Sequence, residues 1–114
     1  MADKTLFERI IAREIPASIV FEDAQCIAIK DINPQAPFHV LVIPKQSLPT
    51  VAAASAADAP LLGHLLLIAA QVARDAGYGE AFRLAINNGS GAGQTVFHLH
   101  VHVLGGRPFR WPPG

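Results

Sequence analysis

The sequence predicts a single α+β domain over residues 1–114, in which an N-terminal helix and one long helix accompany a five-stranded antiparallel sheet. Three observations predict it. The chain contains five short runs rich in β-branched and aromatic residues. Three of these runs precede one long leucine-rich segment, and two follow it. Polar or glycine-rich links separate these runs, and this order of elements is typical of antiparallel α+β folds. A chain of 114 residues is also long enough to bury one hydrophobic core.

The start of the chain supplies one helix and one hairpin. Apolar residues recur at helical spacing over residues 6–11, behind a candidate cap at Asp3 and ahead of Pro16. Residues 19–21 and 26–29 are β-rich runs joined by a short polar link. This pattern predicts a hairpin.

The remaining elements follow in order. Residues 38–43 form an apolar run that predicts a third strand. Residues 55–58 resemble a capping box, with Asp in place of the usual Glu, ahead of a long helix that stops at Gly77. Residues 82–86 and 95–104 then supply the fourth and fifth strands.

Composition bears on partners and location. Lys plus Arg and Asp plus Glu both number 9, so the chain has no excess of positive charge to hold a nucleic-acid backbone. Cys26 is the single cysteine, and the N-terminus has no apolar signal core, so we expect a cytoplasmic protein without a disulfide. The apolar residues 60–73 are interrupted by His64 and Gln71, and we expect a buried helix and no membrane partner.

A row of histidines carries the chemistry. His98, His100 and His102 stand at every second position of one predicted strand, with Leu99 and Val101 between them. A strand sends alternate side chains to opposite faces, so the three imidazoles are expected on one face, about 6.6 Å between neighbours. Imidazole can act as base, acid, nucleophile or metal ligand near neutral pH.

Two kinds of chemistry fit the row. Two imidazoles can chelate a metal such as zinc with ligands from elsewhere, or one imidazole can attack an electrophile while its neighbours bind anionic oxygens. The segment from Asn88 to Thr95 offers backbone N–H groups in a glycine-rich loop, which favours phosphate over metal. His39 is ambiguous on its own. We expect His64 to lie on the surface of a helix or in the core, and Cys26 to pack as a small hydrophobic residue.

The row, in which apolar residues alternate with the three histidines and two follow the last, resembles the signature of the histidine triad family. The resemblance covers nearly the whole chain. It is to the Hint branch, the histidine triad nucleotide-binding proteins. The further matching segments are residues 15–17, 31–39, 42–45, 61–64, 104–107 and 111–114.

This resemblance implies a purine nucleoside phosphoramidase, which hydrolyses the P–N bond of AMP–amine or GMP–amine conjugates through a nucleotidyl-histidine intermediate. It implies no required metal or other cofactor. It also implies a homodimer, in which two five-stranded sheets join into one ten-stranded sheet and the C-terminal segment approaches the partner's site.

The resemblance also implies roles for individual residues. His100 would be the nucleophile and His102 would contact the α-phosphate, while His98 and His39 would complete and orient the cluster. Asp31 would receive the ribose hydroxyls. The base pocket would be lined by Phe7, Ile10, Ile29, Ile32 and Leu41, and the phosphate-side residues would be Asn87, Gly93, Gln94 and Thr95.

Three departures from relatives and two alternatives accompany this interpretation. Thr95 stands where many relatives have Ser, and Ile29 where some have an aromatic residue, which predicts weaker base stacking. Ser47 stands where some have a histidine considered as a zinc ligand, which weakens a zinc interpretation. The first alternative is a purine-nucleotide-binding adaptor with incidental catalysis. The second is a zinc-binding module that combines His98, His100 or His102 with Cys26 or His39.

Overall fold

The computed structural model describes residues 4–114, and within this range the chain forms two α-helices and five strands. The strands pair in the order β1-β2-β3-β5-β4, and every pairing is antiparallel. The predicted fold class is thereby confirmed. The elements are α1 (Leu6–Ile11), β1 (Ile19–Glu22), β2 (Cys26–Lys30), β3 (Phe38–Pro44), α2 (Ala59–Asp75), β4 (Phe82–Ala85) and β5 (Val101–Gly105).

The two faces of the sheet bury different clusters. Alternation along β2 sends Cys26 and Ala28 to one face and Ile27 and Ile29 to the other. The first face packs against α2, through residues that include Leu61, Leu65, Ile68, Val72, Val40, Val42, Val101 and Val103. The second face packs against α1, through Phe7, Ile10, Ile27, Ile29, Leu41 and Ile43.

Helix α1 begins at a capping box. The Thr5 side chain accepts a hydrogen bond from the backbone N–H of Glu8, and the Glu8 side chain accepts one from the backbone N–H of Thr5. These bonds satisfy N–H groups that a helix start leaves without partners. The cap expected at Asp3 lies outside the described residues.

Helix α2 begins and ends where the sequence predicts. Ser55 and Asp58 form the expected capping box around a short 3-10 turn, Ala56–Asp58, that leads into the helix. At the other end, Gly77 has a φ of +91°, a conformation that glycine adopts without a side-chain clash.

Among residues 4–114, one segment, Ala56–Asp75, is long and apolar enough by length and composition to cross a membrane, with a mean hydropathy of 1.5. The expectation of a buried helix and no membrane partner was based on the shorter run of residues 60–73, whereas the 3-10 turn Ala56–Asp58 extends the helical segment to 20 residues. Leu61, Leu65 and Ile68 of this segment pack against the sheet, as core-helix residues do.

Strand β5 is shorter than predicted. It begins at Val101 and not at Thr95. In the register of β3 with β5, Val42 lies opposite Val101, so Pro44 would lie opposite Leu99 if the ladder continued. Proline has no N–H to donate, and the backbone N–H of Leu99 instead donates to the carbonyl of Leu48, at 2.6 Å. His98 and His100 therefore precede the strand, and the residue between them, Leu99, bonds the loop after β3.

Candidate active site

His100 and His102 lie together on the sheet face that packs against α1. The centroids of their rings are 5.0 Å apart, and those of His102 and His39 are 5.2 Å apart. His39 is on β3 and His102 on β5, neighbouring strands, and Leu41 is opposite His102 in the register. The fold thus brings three imidazoles from two strands and the segment before β5 into one cluster.

His98 has a different environment from the other two histidines of the row. Its side chain is fully buried. Its Nε2–H donates to the carbonyl of Pro44 at 2.7 Å, and its Nδ1 lies 3.4 Å from Thr5 Oγ1, which can donate to it. With both ring nitrogens occupied, His98 ties the segment before β5 to the end of β3 and to the start of α1.

His100 has a defined tautomer. Its Nδ1 is 2.7 Å from the backbone carbonyl of His98, and since a carbonyl only accepts, Nδ1 carries the hydrogen. A neutral ring then has a lone pair on Nε2. Burial is the main cause that lowers the pKa of His100, and Phe7 packs edge-on against its ring at 4.9 Å. His100 is therefore neutral at pH 7, the form that can act as a nucleophile.

His39 sets the tautomer of His102. The backbone N–H of Gln35 donates to His39 Nδ1 at 3.0 Å, so a neutral His39 carries its hydrogen on Nε2. That Nε2–H faces His102 Nδ1 at 2.9 Å, and His102 Nδ1 therefore accepts. The hydrogen of a neutral His102 is then on Nε2, the nitrogen on the far side of its ring from His39.

The charges around this pair are also defined. Asp31 Oδ2 lies 3.4 Å from His39 Nε2, and Asp31 Oδ1 accepts the backbone N–H of Asn33 at 2.8 Å. Burial lowers the pKa of His39, and the carboxylate of Asp31 partly offsets this. Burial, followed by the nearby rings of His100 and His39, lowers the pKa of His102 to about 4. All three cluster histidines are thus uncharged at neutral pH.

A cavity of about 290 Å³ opens beside His100 and His102. A larger surface depression of about 800 Å³ around Tyr78 contains no histidine, so the smaller cavity is the candidate site. Ile32, 97% exposed, is at its rim. Nine residues singled out from the sequence line the cavity: Phe7, Ile10, Ile29, Asp31, Ile32, Leu41, Thr95, His100 and His102.

The glycine-rich loop is braced from inside the protein. Gln94 is buried, and its Oε1 accepts the backbone N–H of Gly89 at 2.8 Å, while its Nε2 donates to the carbonyls of Pro49 and Val96 at 2.8 and 3.1 Å. The side chain of Gln94 is therefore used within the loop and does not line the cavity. Among the four residues that the resemblance puts on the phosphate side, Thr95 lines the cavity, whereas Asn87, Gly93 and Gln94 do not.

The sequence analysis did not assign six of the lining residues to the site, and it did not predict the contacts of Thr5 and Gln35. Thr5 carried a signal, because Thr-x-x-Glu ahead of an apolar run is a capping-box pattern. The contribution of Gln35 is a backbone N–H, which every residue except proline has, so no sequence signal marks it. The unassigned lining residues are Leu6, Ile15, Pro16, Ala17, Lys30 and Val96.

Two groups of side chains within the described residues have the donors and spacing to hold a metal ion. Asp31, His39 and His102 form one, and Asp23, Cys26 and His64 form the other. Cys26 packs on the α2 face of the sheet, away from the histidine cavity. A zinc module that combines the histidine row with Cys26 is therefore contradicted, because the two kinds of ligand lie on opposite faces.

The chain is similar to known proteins over its whole length. The HIT domain model matches residues 12–109. An uncharacterised HIT-like protein of Synechocystis is 65% identical over 114 residues and all of both chains, and a 14 kDa zinc-binding protein of Zea mays is 46% identical over 96% of this chain and 88% of that protein. A solved HIT family hydrolase from Legionella pneumophila superposes with a TM-score of 0.95 at 46% identity, over 97% of this chain and 100% of that one.

Proposed function

The chain belongs to the HIT domain family and has the fold of a HIT family hydrolase, and from this premise we propose that it is a purine nucleoside phosphoramidase of the Hint branch. The proposed reaction is hydrolysis of the P–N bond that joins AMP or GMP to an amine. The observation that carries the proposal is the lone pair of His100 Nε2, which the bond from Nδ1–H to the His98 carbonyl fixes beside His102 in a cavity of about 290 Å³.

The lining of the cavity supports a nucleotide as the ligand. One part is apolar, through Phe7, Ile10, Ile29 and Leu41, and suits the faces of a purine base. Asp31 follows β2 at the other part, where a short carboxylate can accept the hydroxyls of a ribose. The imidazoles of His100 and His102 would then lie beside the α-phosphate, which is attached to the ribose. We assign the base, sugar and phosphate subsites in this order.

The first step of the proposed reaction uses His100 as nucleophile. Its Nε2 lone pair forms a bond to phosphorus, the P–N bond breaks, and the electron pair of that bond leaves with the amine nitrogen. The amine nitrogen takes up a proton from solvent, and the substituted His100 carries one positive charge. His102 keeps its proton: the bond from His39 Nε2–H to His102 Nδ1 holds the hydrogen of His102 on Nε2, where it can donate a hydrogen bond to the reacting phosphate.

The second step releases the nucleotide. The oxygen of a water molecule forms a bond to phosphorus, and the bond from phosphorus to His100 Nε2 breaks with its electron pair returning to the ring. A proton of the water goes to solvent. AMP or GMP is released, and His100 regains its starting form.

The zinc-binding name of the Zea mays relative raises the question of a metal at the histidine row. The row of this chain does not fit a metal centre, because His98 uses both ring nitrogens on Pro44 and Thr5, and His100 uses Nδ1 on a backbone carbonyl. The donors that remain at the cavity are those of His39, His102 and Asp31, which have the spacing of metal ligands and bond one another in this structure. The proposed reaction uses these side chains as positioning and hydrogen-bonding groups and assigns no step to a metal.

Turnover separates this proposal from the adaptor alternative. Purified protein is expected to release AMP and free amine from an adenosine 5′-phosphoramidate, and His100→Ala to abolish release while the fold is kept. His64→Gln is the matched control, because His64 lies on α2, on the opposite face of the sheet. Tight AMP binding without turnover of any phosphoramidate would favour an adaptor instead.

We also propose that the chain forms a homodimer through the side of the molecule next to β4. Leu66 and Ile86 are exposed there, 46% and 39% respectively, and both line one apolar depression. Strand β4 is an edge of the sheet, so pairing there would extend it. Sedimentation should give a dimer mass, and Leu66→Glu with Ile86→Glu should give a monomer; a monomeric native protein contradicts the proposal.

A further inference from the structure

Three donor side chains from separate elements meet on the α2 side of the sheet. Asp23 is in the turn of the β1–β2 hairpin, Cys26 is the first residue of β2, and His64 is in α2. A carboxylate oxygen of Asp23, Cys26 Sγ and a ring nitrogen of His64 all lie within 4.8 Å of one another. The proposed reaction uses none of them.

The carboxylate of this group is fixed by the backbone. Asp23 Oδ1 accepts the N–H groups of Gln25 and Cys26, both at 2.8 Å. Its second oxygen, Oδ2, is thereby directed at His64 Nε2, 2.6 Å away. Two of the three donors are thus held by bonds that do not depend on a bound ion.

The three donor side chains differ in their exposure to solvent. The side chains of Asp23 and His64 are 28% and 27% exposed, whereas Cys26 is fully buried beneath them. Burial, followed by the charge of Asp23, raises the pKa of the Cys26 thiol to about 12. An ion arriving from solvent would meet the carboxylate and the imidazole first and the thiol last.

The donor set is selective. Carboxylate oxygen, imidazole nitrogen and thiolate sulfur together suit zinc and related borderline ions, whereas magnesium and calcium prefer oxygen alone. Zinc sites with three protein ligands hold water in the fourth position. The two-residue spacer from Asp23 to Cys26 is also the spacing found between paired ligands of many structural zinc sites.

We propose that Asp23, Cys26 and His64 bind one zinc-class divalent cation, which cross-links the β1–β2 hairpin to α2. On binding, the S–H bond of Cys26 breaks, its electron pair goes to the ion, and the proton goes to solvent. The hydrogen on His64 Nε2 moves to Nδ1 by way of solvent, so that Nε2 can ligate. The ion replaces the bond between His64 and Asp23, and it requires no oxidant or further reactant.

Cobalt and zinc titrations of the full chain test this site. After treatment with a chelator, the protein is expected to take up one equivalent of Co²⁺ with a thiolate-to-cobalt charge-transfer absorption, which Zn²⁺ then displaces. Zinc is also expected to raise the Tm of the native protein, because it binds the folded form. Absence of the charge-transfer absorption with cobalt in excess overturns the proposal.

Variants locate the ion. Cys26→Ala should lose the absorption, and His64→Gln, at a partly exposed position, should weaken uptake at least about tenfold and lose the zinc-dependent rise in Tm. His102→Gln is the control for the other donor group, formed by Asp31, His39 and His102, and should keep the absorption. An ion kept by Cys26→Ala and His64→Gln but lost from His102→Gln overturns the proposal. Thermal unfolding without metal checks that each variant folds. The phosphoramidase activity of the native protein is measured separately, so failure of the metal site and failure of the proposed function can be distinguished.

Discussion

His39 Nε2 lies 2.9 Å from His102 Nδ1, and the backbone N–H of Gln35 on the other side of His39 decides which of the two carries the hydrogen. This chain of bonds starts at a main-chain group and ends at His102, a ring that lines the cavity. His39 therefore acts as a positioning residue in the proposed reaction, since it orients His102 without lining the cavity itself.

Replacing His39 should slow the chemical step and leave binding largely intact. In His39→Ala, His102 Nδ1 loses its donor, and both tautomers of the ring become accessible. The loss of one buried hydrogen bond is about 1–3 kcal/mol, so we expect kcat to fall about 5- to 150-fold with little change in KM. Steady-state kinetics on an adenosine phosphoramidate measure this. A rise in KM with unchanged kcat would assign His39 to substrate binding instead.

The pH dependence of activity should follow the lowered histidine pKa values. Burial lowers the pKa of His100 and, with the nearby rings, that of His102 to about 4, so both are neutral from their usual pKa upward. We expect kcat/KM to be level through neutral pH and to fall only in acid, below the usual histidine pKa of about 6.5. A profile that falls by half near pH 6.5 contradicts the lowered pKa of His100.

Stability should change in the same acid range. A histidine whose pKa is lowered in the folded state takes up protons on unfolding, so folding is favoured above the unfolded pKa of about 6.5 and loses this contribution as pH falls toward about 4. Urea unfolding at several pH values should show this slope, and His102→Gln should reduce it. An equal slope in the variant would remove His102 as its source.

Gln94 distinguishes a loop brace from a phosphate contact. In Gln94→Ala, the N–H of Gly89 and the carbonyls of Pro49 and Val96 lose a partner, and we expect the free energy of unfolding to fall by about 1–3 kcal/mol. Gln46→Ala, at an exposed position, is the matched control. A raised KM with unchanged unfolding free energy would instead indicate that the Gln94 side chain contacts the phosphate.

Asp31 should report on the sugar. Asp31→Asn keeps the acceptor for the Asn33 N–H but loses the negative charge, so we expect it to weaken AMP binding about tenfold and to leave binding of inorganic phosphate unchanged. The variant should also lose most of the preference for AMP over 2′,3′-dideoxy-AMP. Calorimetry measures both. Equal losses for AMP and for phosphate would move Asp31 out of the ribose subsite.

The sequence predicted the fold well where local patterns determine it. Alternation over β2 and β3, the capping box at Ser55 and the glycine at position 77 each depend on near neighbours in the chain, and each is found in the structure. The start of β5 was wrong by six residues. Strand β5 begins only at Val101 because Pro44 of β3 would lie opposite Leu99 if the pairing continued. The sequence of β5 alone does not show which residue of the neighbouring strand it pairs with.

The site was predicted in part for the same reason. Spacing placed His100 and His102 together, and family resemblance added Asp31 and the apolar lining. The distinct environment of His98 depends on Thr5 and Pro44, which are distant in sequence, and the side-chain bonds of Gln94 depend on the loop around Pro49. The group of Asp23, Cys26 and His64 joins a hairpin turn to a helix, and Asp23 and His64 are 41 residues apart in the chain. Only the folded structure shows that they are close together.

Trapping the covalent intermediate tests the proposed chemistry most directly. Native protein mixed with an adenosine phosphoramidate and quenched within one turnover should gain the mass of one adenylyl group, and peptide mapping should locate this group on His100. His100→Ala should gain none under the same conditions. Turnover by native protein without an adenylyl group on His100, or with the group on another histidine, would contradict the account.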